Sequence, residues 1–300
     1  MAASSAPERV LQRLDWAVIR RLDGALQGDY RTLFRGAGVD LAALREYQPG
    51  DDVRYIDWNV TARMQTPYVR EYHEDREITA WFLLDLSPSV DFGTVDGDRA
   101  KRTVLTDFVA TLARLLTRRG NRVGAIFFGA SEVEHVIPAG SGRTQVLRIL
   151  GDLLAHPSPA RAPLTDLGTL FEVADRTIRR RSHVIVLSDF ISAPGWERGL
   201  DLLNRHHELL AVRLVDPREL ELPDVGQIVL EDAETGDQLL VDTHDARFRT
   251  RFQEGARARE AGVATAFRRA GVPAATLSTD DDLVAAIIRI ATLRRRRRAA

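Results

Sequence analysis

Asp85-Leu86-Ser87-Pro88-Ser89 puts a carboxylate and two hydroxyls at alternate positions directly after an apolar run. Ser188-Asp189 stands in the same relation to a second apolar run, and Thr165-Asp166 precedes a helical pattern. Asp85, Ser87, Ser89, Thr165 and Asp189 are all hard oxygen donors, with no imidazole or thiolate among them. Such a set selects Mg2+, Mn2+ or Ca2+ over Zn2+ or Cu2+. Two carboxylates neutralise a divalent ion, and the hydroxyls add no charge. Mg2+ takes six oxygens and readily keeps water, so one position stays open for an acidic side chain of a partner protein. The set reads as a binding socket rather than a catalytic machine. A plainer reading competes with it, because Asp, Ser, Pro and Thr are also common turn and cap residues. Thr169-Leu170-Phe171-Glu172 spells a capping box, so Thr165 or Thr169 could serve only as a helix cap.

Other chemistries are poorly supplied. The 300 residues contain no Cys, which removes disulfides, thiolate zinc sites and Cys nucleophiles. Lys101 is the only lysine among 42 Lys and Arg, and no Gly-x-x-x-x-Gly-Lys-Ser/Thr loop or Gly-x-Ser-x-Gly elbow occurs. The seven His are scattered without zinc spacing. A formal charge of -1 gives no global basic field for nucleic acid. Arg294 to Arg298 form a basic run that reads as a solvated helix end or as an anchor to an acidic partner or lipid. No stretch is long and apolar enough to cross a membrane, and Met1 to Val10 lacks a signal-peptide core. The expected location is the cytoplasm.

The elements that must hold these residues follow from the apolar pattern. Ile78 to Leu84 and His183 to Leu187 are nearly continuous apolar runs, which suit strands covered on both faces. Val123–Phe128, Leu209–Val215 and Pro273–Leu277 add strands, and Val133–Ile137 reads as a short strand hairpinned to the first of these. Helical spacing predicts helices over about 104–116, 143–155, 168–181, 196–207, 245–270 and 281–297, and an amphipathic helix within 8–35. Ile228–Leu230 and Leu239–Val241 flank Thr235-Gly236, the pattern of a β-hairpin. Strands alternating with helices predict an α/β fold with a doubly wound, mostly parallel sheet, an N-terminal extension and an inserted hairpin near 226–243. Ligands of such sheets sit beyond the carboxyl ends of the strands, where all five donors fall. The expected organisation is an extension over 1–77 and an α/β domain over 78–300.

At these strand ends the chain resembles a von Willebrand factor A domain, and the donor set resembles its metal-ion-dependent adhesion site. By that resemblance Asp85, Ser87 and Ser89 match the first motif, Thr165 the second and Asp189 the third. Leu164 and Phe190 stand where many A domains have Gly, and Val90 where Met is common. Upstream, Gly36-Ala37-Gly38, the segment Leu44 to Trp58, Ala62-Arg63 and Val69-Arg70-Glu71-Tyr72 resemble the bacterial family called domain of unknown function 58. That resemblance implies a partner of MoxR-type AAA+ ATPases, acting in chaperone-like maturation of other proteins or complexes. Asp51, Asp52, Arg54, Asp57 and Trp58 carry the strongest signature. They read either as an Asp–Arg turn with Trp58 packed on the sheet or as a partner-binding face. For the strand-end site, the alternatives to a metal-dependent binding module are an Mg-dependent phosphoester hydrolase and a structural module with a vacant site.

Overall fold

Seven strand residues with almost no polar interruption, Thr79–Asp85, form strand β3 of a computed structural model that describes residues 5–25, 41–72, 77–93, 100–157 and 162–298. The chain divides into two compact units, Met1–Leu33 with Thr79–Ala300, and Phe34–Ile78.

In the smaller unit β1 (Leu41–Glu46) pairs antiparallel with β2 (Tyr68–Tyr72), and a 3-10 turn and helix α3 (Trp58–Met64) lie between them. These strands were not read from the polar 40–77 segment. The segment Gly36-Ala37-Gly38 lies outside the described residues, as do 26–35 of the predicted N-terminal helix.

The larger unit starts with α1 (Ala6–Leu14), a π turn over Asp15–Ile19 and α2 (Arg20–Ala25). Its centre is a six-stranded sheet of β3, β4 (Arg122–Phe128), β5 (Val133–Gly140), β6 (His183–Ser188), β7 (Glu208–Val215) and β10 (Ala274–Ser278). The order is β10-β7-β6-β3-β4-β5, parallel except where β5 runs antiparallel to β4. Between them run α4 (Lys101–Thr117), α5 (Gly142–Ala155), α6 (Leu167–Thr177), α7 (Trp196–His206), α8 (Ala246–Arg269) and α9 (Leu283–Arg298).

Both faces of the sheet are covered, which is why β3 and β6 are apolar at successive positions rather than alternate ones. Trp81, Leu83, Val184 and Val186 face a core completed by Leu170 and Phe171 of α6, Trp196 and Leu200 of α7, and Phe267 of α8. Phe82, Leu84, Ile185 and Leu187 are equally buried and alternate with them, facing the layer of α4, α5 and α9. The inserted hairpin pairs β8 (Gln227–Glu231) with β9 (Gln238–Asp242). Helix α6 ends at Thr177, four residues before the predicted end, because Ile178 leaves the helical region. Among the described residues, no helix is long and apolar enough to cross a membrane. The side chains of Arg294–Arg298 lie outside the described residues.

Candidate metal-adhesion site at the strand ends

β3 and β6 are adjacent and parallel, so their carboxyl ends bring Asp85 and Asp189 to one edge. After Asp85 the chain turns through a 3-10 segment, Pro88–Asp91, with Ser87 at its start. Pro at the first position suits this turn, because its fixed φ is already helical. Ser87 N–H donates to Asp85 Oδ1 (3.1 Å), and the Ser87 and Ser89 hydroxyls lie 3.1 Å apart. Asp85, Ser87, Thr165 and Asp189 are essentially inaccessible, and Ser89 is buried.

Ser188 links the two strands across the site. Its hydroxyl donates to Asp85 Oδ2 (2.6 Å) and accepts from the N–H of Phe190 (2.8 Å). Asp189 Oδ1 accepts from the N–H of Ile191 (3.0 Å), which turns the chain away from the strand. Phe190 takes φ 57° to make this turn. That left-handed conformation is what glycine adopts freely, which gives a physical reason for glycine here in other A domains. Phe190 offsets the strain by packing edge-on to Phe267 and against Trp196.

The loop after Asp189 also fixes Thr165. Ser192 Oγ and the N–H of Ala193 both donate to the Thr165 carbonyl, at 3.0 and 2.8 Å. Hydrogen bonds thus link Asp85, Ser87, Ser89 and Ser188 at this edge, while the Thr165 carbonyl is tied to the loop that follows Asp189. The cap reading of the threonines is corrected. Asp166 caps α6, accepting from Gly168 N–H and from the Thr169 hydroxyl, so Thr169 lies inside the helix. Thr165 instead donates its hydroxyl and its N–H to the two carboxylate oxygens of Glu234, at 2.6 and 2.9 Å.

Sequence reasoning missed four neighbours. Ser188 and Glu234 are two of them. The others are Lys101 and Glu219, because Lys101 Nζ, fully buried, donates to Asp189 Oδ2 (2.9 Å) and Glu219 Oε1 (2.6 Å). Being the single lysine, Lys101 served only to exclude a P-loop. No spacing signal ties it to a strand end 88 residues away.

The electrostatics of the edge are uneven. Burial, with the charge of Asp189, pushes the Asp85 carboxyl up to about 6, against hydrogen bonds from Ser188 and Ser87. Burial also works to raise Asp189, but the Lys101 ammonium beside it prevails and holds it low. The carboxylates of Asp189 and Glu219 outweigh burial and raise Lys101. Burial raises Glu234, and Asp189 adds to this. One ammonium therefore serves two carboxylates, the buried Asp189 and the half-buried Glu219, while the bonds to Asp85 come from Ser87 and Ser188, which carry no charge. Asp85, Ser87, Ser89, Thr165 and Asp189 are hard oxygen donors of the kind a divalent ion takes, although the Lys101 ammonium already shares Asp189 and the Arg102 guanidinium, bonded to the Leu86 carbonyl, adds positive charge near Asp85. Among the described residues no three His, Cys, Asp or Glu cluster as a metal-holding group, so such a site relies on its hydroxyls.

The signature residues of the smaller unit have defined local roles. Asp51 accepts two 2.7 Å bonds from Arg45, and Asp52 pairs with Arg54 at 2.5 Å. These guanidinium contacts come first among the causes that hold both carboxyls down at about 2. Asp57 caps α3 through the N–H groups of Asn59 and Val60. The expectation of a packed Trp58 is corrected, since it is 69% exposed at the first position of α3.

A mostly parallel sheet between helix layers, with Asp-x-Ser-x-Ser, Thr and Asp at one strand-end edge, is a von Willebrand factor A-like arrangement. The chain belongs to the family described as "Protein of unknown function DUF58", whose profile matches residues 43–262. It is 38% identical over 286 residues to Uncharacterized protein Mb1516 of Mycobacterium bovis, covering 95% of this chain and 89% of that one. A Mycobacterium avium protein, Uncharacterized protein MAV169, is 39% identical over 160 residues, covering 53% of this chain and 94% of the relative. Among solved structures, conserved hypothetical protein BatB from Bacteroides thetaiotaomicron aligns with a TM-score of 0.49 at 14% identity, covering 74% of this chain and all of that one. Proximal thread matrix protein 1 from the mussel byssus, described with a zinc-occupied MIDAS motif, aligns with a TM-score of 0.36 at 17% identity, covering 46% and 38%. The family assignment rests on the sequence matches.

Proposed function

We propose that this chain is a metal-dependent protein-binding module. In this reading Asp85, Ser87, Ser89, Thr165 and Asp189 hold Mg2+, Mn2+ or Ca2+, and the ion recruits an acidic side chain of a partner. The observation that supports it is that these oxygen donors are all buried, with Asp85, Ser87 and Ser89 hydrogen-bonded together and to Ser188 at the end of the neighbouring strand. The ion, when bound, supplies positive charge to Asp85 and an acceptor position for a carboxylate. The protein orients the donors: Ser188 fixes Asp85, the N–H of Ile191 fixes Asp189, and Ser192 fixes the Thr165 backbone. By family resemblance, the finer reading is an adaptor for a MoxR-type AAA+ ATPase in chaperone-like maturation of a client.

Lys101 favours a second reading, in which its buried ammonium is the resident cation and the edge is a structural module. Thermal melts separate the two. A ligand that binds only the folded state stabilises by about 2.7 kcal/mol at a hundred times its Kd. Mg2+ is expected to raise the Tm of the wild type and leave Asp85→Ala unmoved. Equal responses in the two proteins would refute the metal site and favour the lysine reading.

A further inference from the structure

The hairpin insert carries charge of one sign only. Nine Asp and Glu and no Lys or Arg stand between Arg218 and Arg247, in a chain with 42 Lys and Arg. The ribbon is fixed at both ends. At its tip Glu234 accepts from the Thr165 hydroxyl and N–H. At its base the Thr243 hydroxyl donates to Gly226 O (2.7 Å) and accepts from the N–H of Val225 (3.0 Å). A two-stranded ribbon is marginal by itself, so these ties hold its faces in place. Register sets what each face carries. Val229 lies opposite Leu240, and Leu230 opposite Leu239. Successive side chains alternate between the faces. One face therefore joins Leu230 and Leu239 to Ile228 and the buried Val241. The other has Val229 and Leu240 at its centre, 56% and 65% exposed, between the pairs Glu231–Gln238 and Gln227–Asp242.

Every residue of that second face is exposed. An apolar centre within a polar rim is the anatomy of a protein interface. The sign of the rim selects the partner. Glu231 Oε2 accepts from the Gln238 amide (2.8 Å), and Asp242 Oδ1 from the N–H of His244 (2.9 Å). Among the described residues neither carboxylate pairs with a cation. Asp232 and Asp237 add two exposed acids at the turn. Such a field repels nucleic acid and anionic lipid, and a second copy meeting it face to face would oppose like charges. A basic segment is drawn to it. We propose that this face, centred on Val229 and Leu240 and rimmed by Glu231 and Asp242, docks a segment of a partner protein whose apolar side chains lie between Arg or Lys. The docking face is distinct from the strand-end donors and needs no ion.

The test uses the full chain in chelator and a fluorescein-labelled peptide with a Val-Leu-Val centre between Arg pairs, read by anisotropy. The same peptide with Glu in place of Arg is the control. The wild type is expected to bind the Arg peptide and not the Glu peptide, and to bind it more weakly as salt rises. Leu240→Ser should weaken binding about tenfold, the lower end of what an apolar side chain gains on burial. Glu231→Gln with Asp242→Asn should weaken it about fivefold and flatten the salt dependence. Leu239→Ser changes an equally exposed residue of the other face and should bind as the wild type does, which separates loss of this face from loss of the hairpin. No binding of the Arg peptide, equal binding of the Glu peptide, or equal losses in Leu239→Ser and Leu240→Ser would overturn the proposal. So would self-association of the wild type that Leu240→Ser abolishes in sedimentation, because the occupant would then be a second copy.

Discussion

Asp85 is where the sequence pattern and the buried chemistry meet. Its carboxyl is raised from 3.8 to about 6, first by burial and then by Asp189. The folded state therefore holds the proton more tightly than the unfolded chain. Stability from this group is fully present below about pH 4 and is lost as pH rises through about 6. The size is on the order of 3 kcal/mol, since each tenfold gain in proton affinity is worth about 1.4 kcal/mol. In chelator, Asp85→Asn should gain on the wild type by about that amount between pH 4 and pH 7, read from urea melts. A gap that stays constant with pH would contradict the buried-carboxylate account. Asp85, Ser87, Ser89 and Asp189 drew attention because they follow apolar runs, and Thr165 because it precedes a helical pattern. Lys101, Glu219 and Glu234 did not, because their partners lie on other elements, 69 residues or more away in sequence.

At the scale of elements, the apolar runs located the strands of the large sheet to within a few residues. Continuous burial leaves a strong mark on composition. The β1–β2 pair left no such mark, because its segment mixes charges with isolated tyrosines. The β6–α7 connection shows how an element end is tuned. Phe190 accepts a left-handed backbone and packs on Trp196 and Phe267. Phe190→Gly would release about 1 kcal/mol of backbone strain. Loss of a buried aromatic costs roughly 3–5 kcal/mol. The variant should therefore be less stable by about 2 kcal/mol or more, measured by chemical denaturation. A more stable variant would show that strain outweighs packing at this turn.

For the whole molecule, the predicted division into 1–77 and 78–300 can be compared with the compact units. Residues 1–33 cluster with 79–300, and 34–78 stand as their own unit. Helix α1 packs on α4 and α5, burying Leu11 and Leu14, with Arg13 paired to Asp107. The Asp51 to Trp58 part of the signature thus falls in a unit that does not contain the strand-end donors. Two candidate binding surfaces follow, and a chelator distinguishes them. If a MoxR-type ATPase is held through the ion, co-purification should fall on chelation and in Asp85→Ala. If it is held through the smaller unit, it should survive chelation and fall in Trp58→Ala, whose indole is exposed.

Local pattern alone determined the α/β alternation, the parallel core strands and the hairpin insert. These depend on side-chain period and residue type, both of which are local. Only the tertiary structure decided the charge balance at the edge. Lys101 meets Asp189 across 88 residues, and Glu234 meets Thr165 across 69. Folding brings such groups into one desolvated place, where a carboxylate's charge is costly unless a cation shares it. No period or short motif records that meeting.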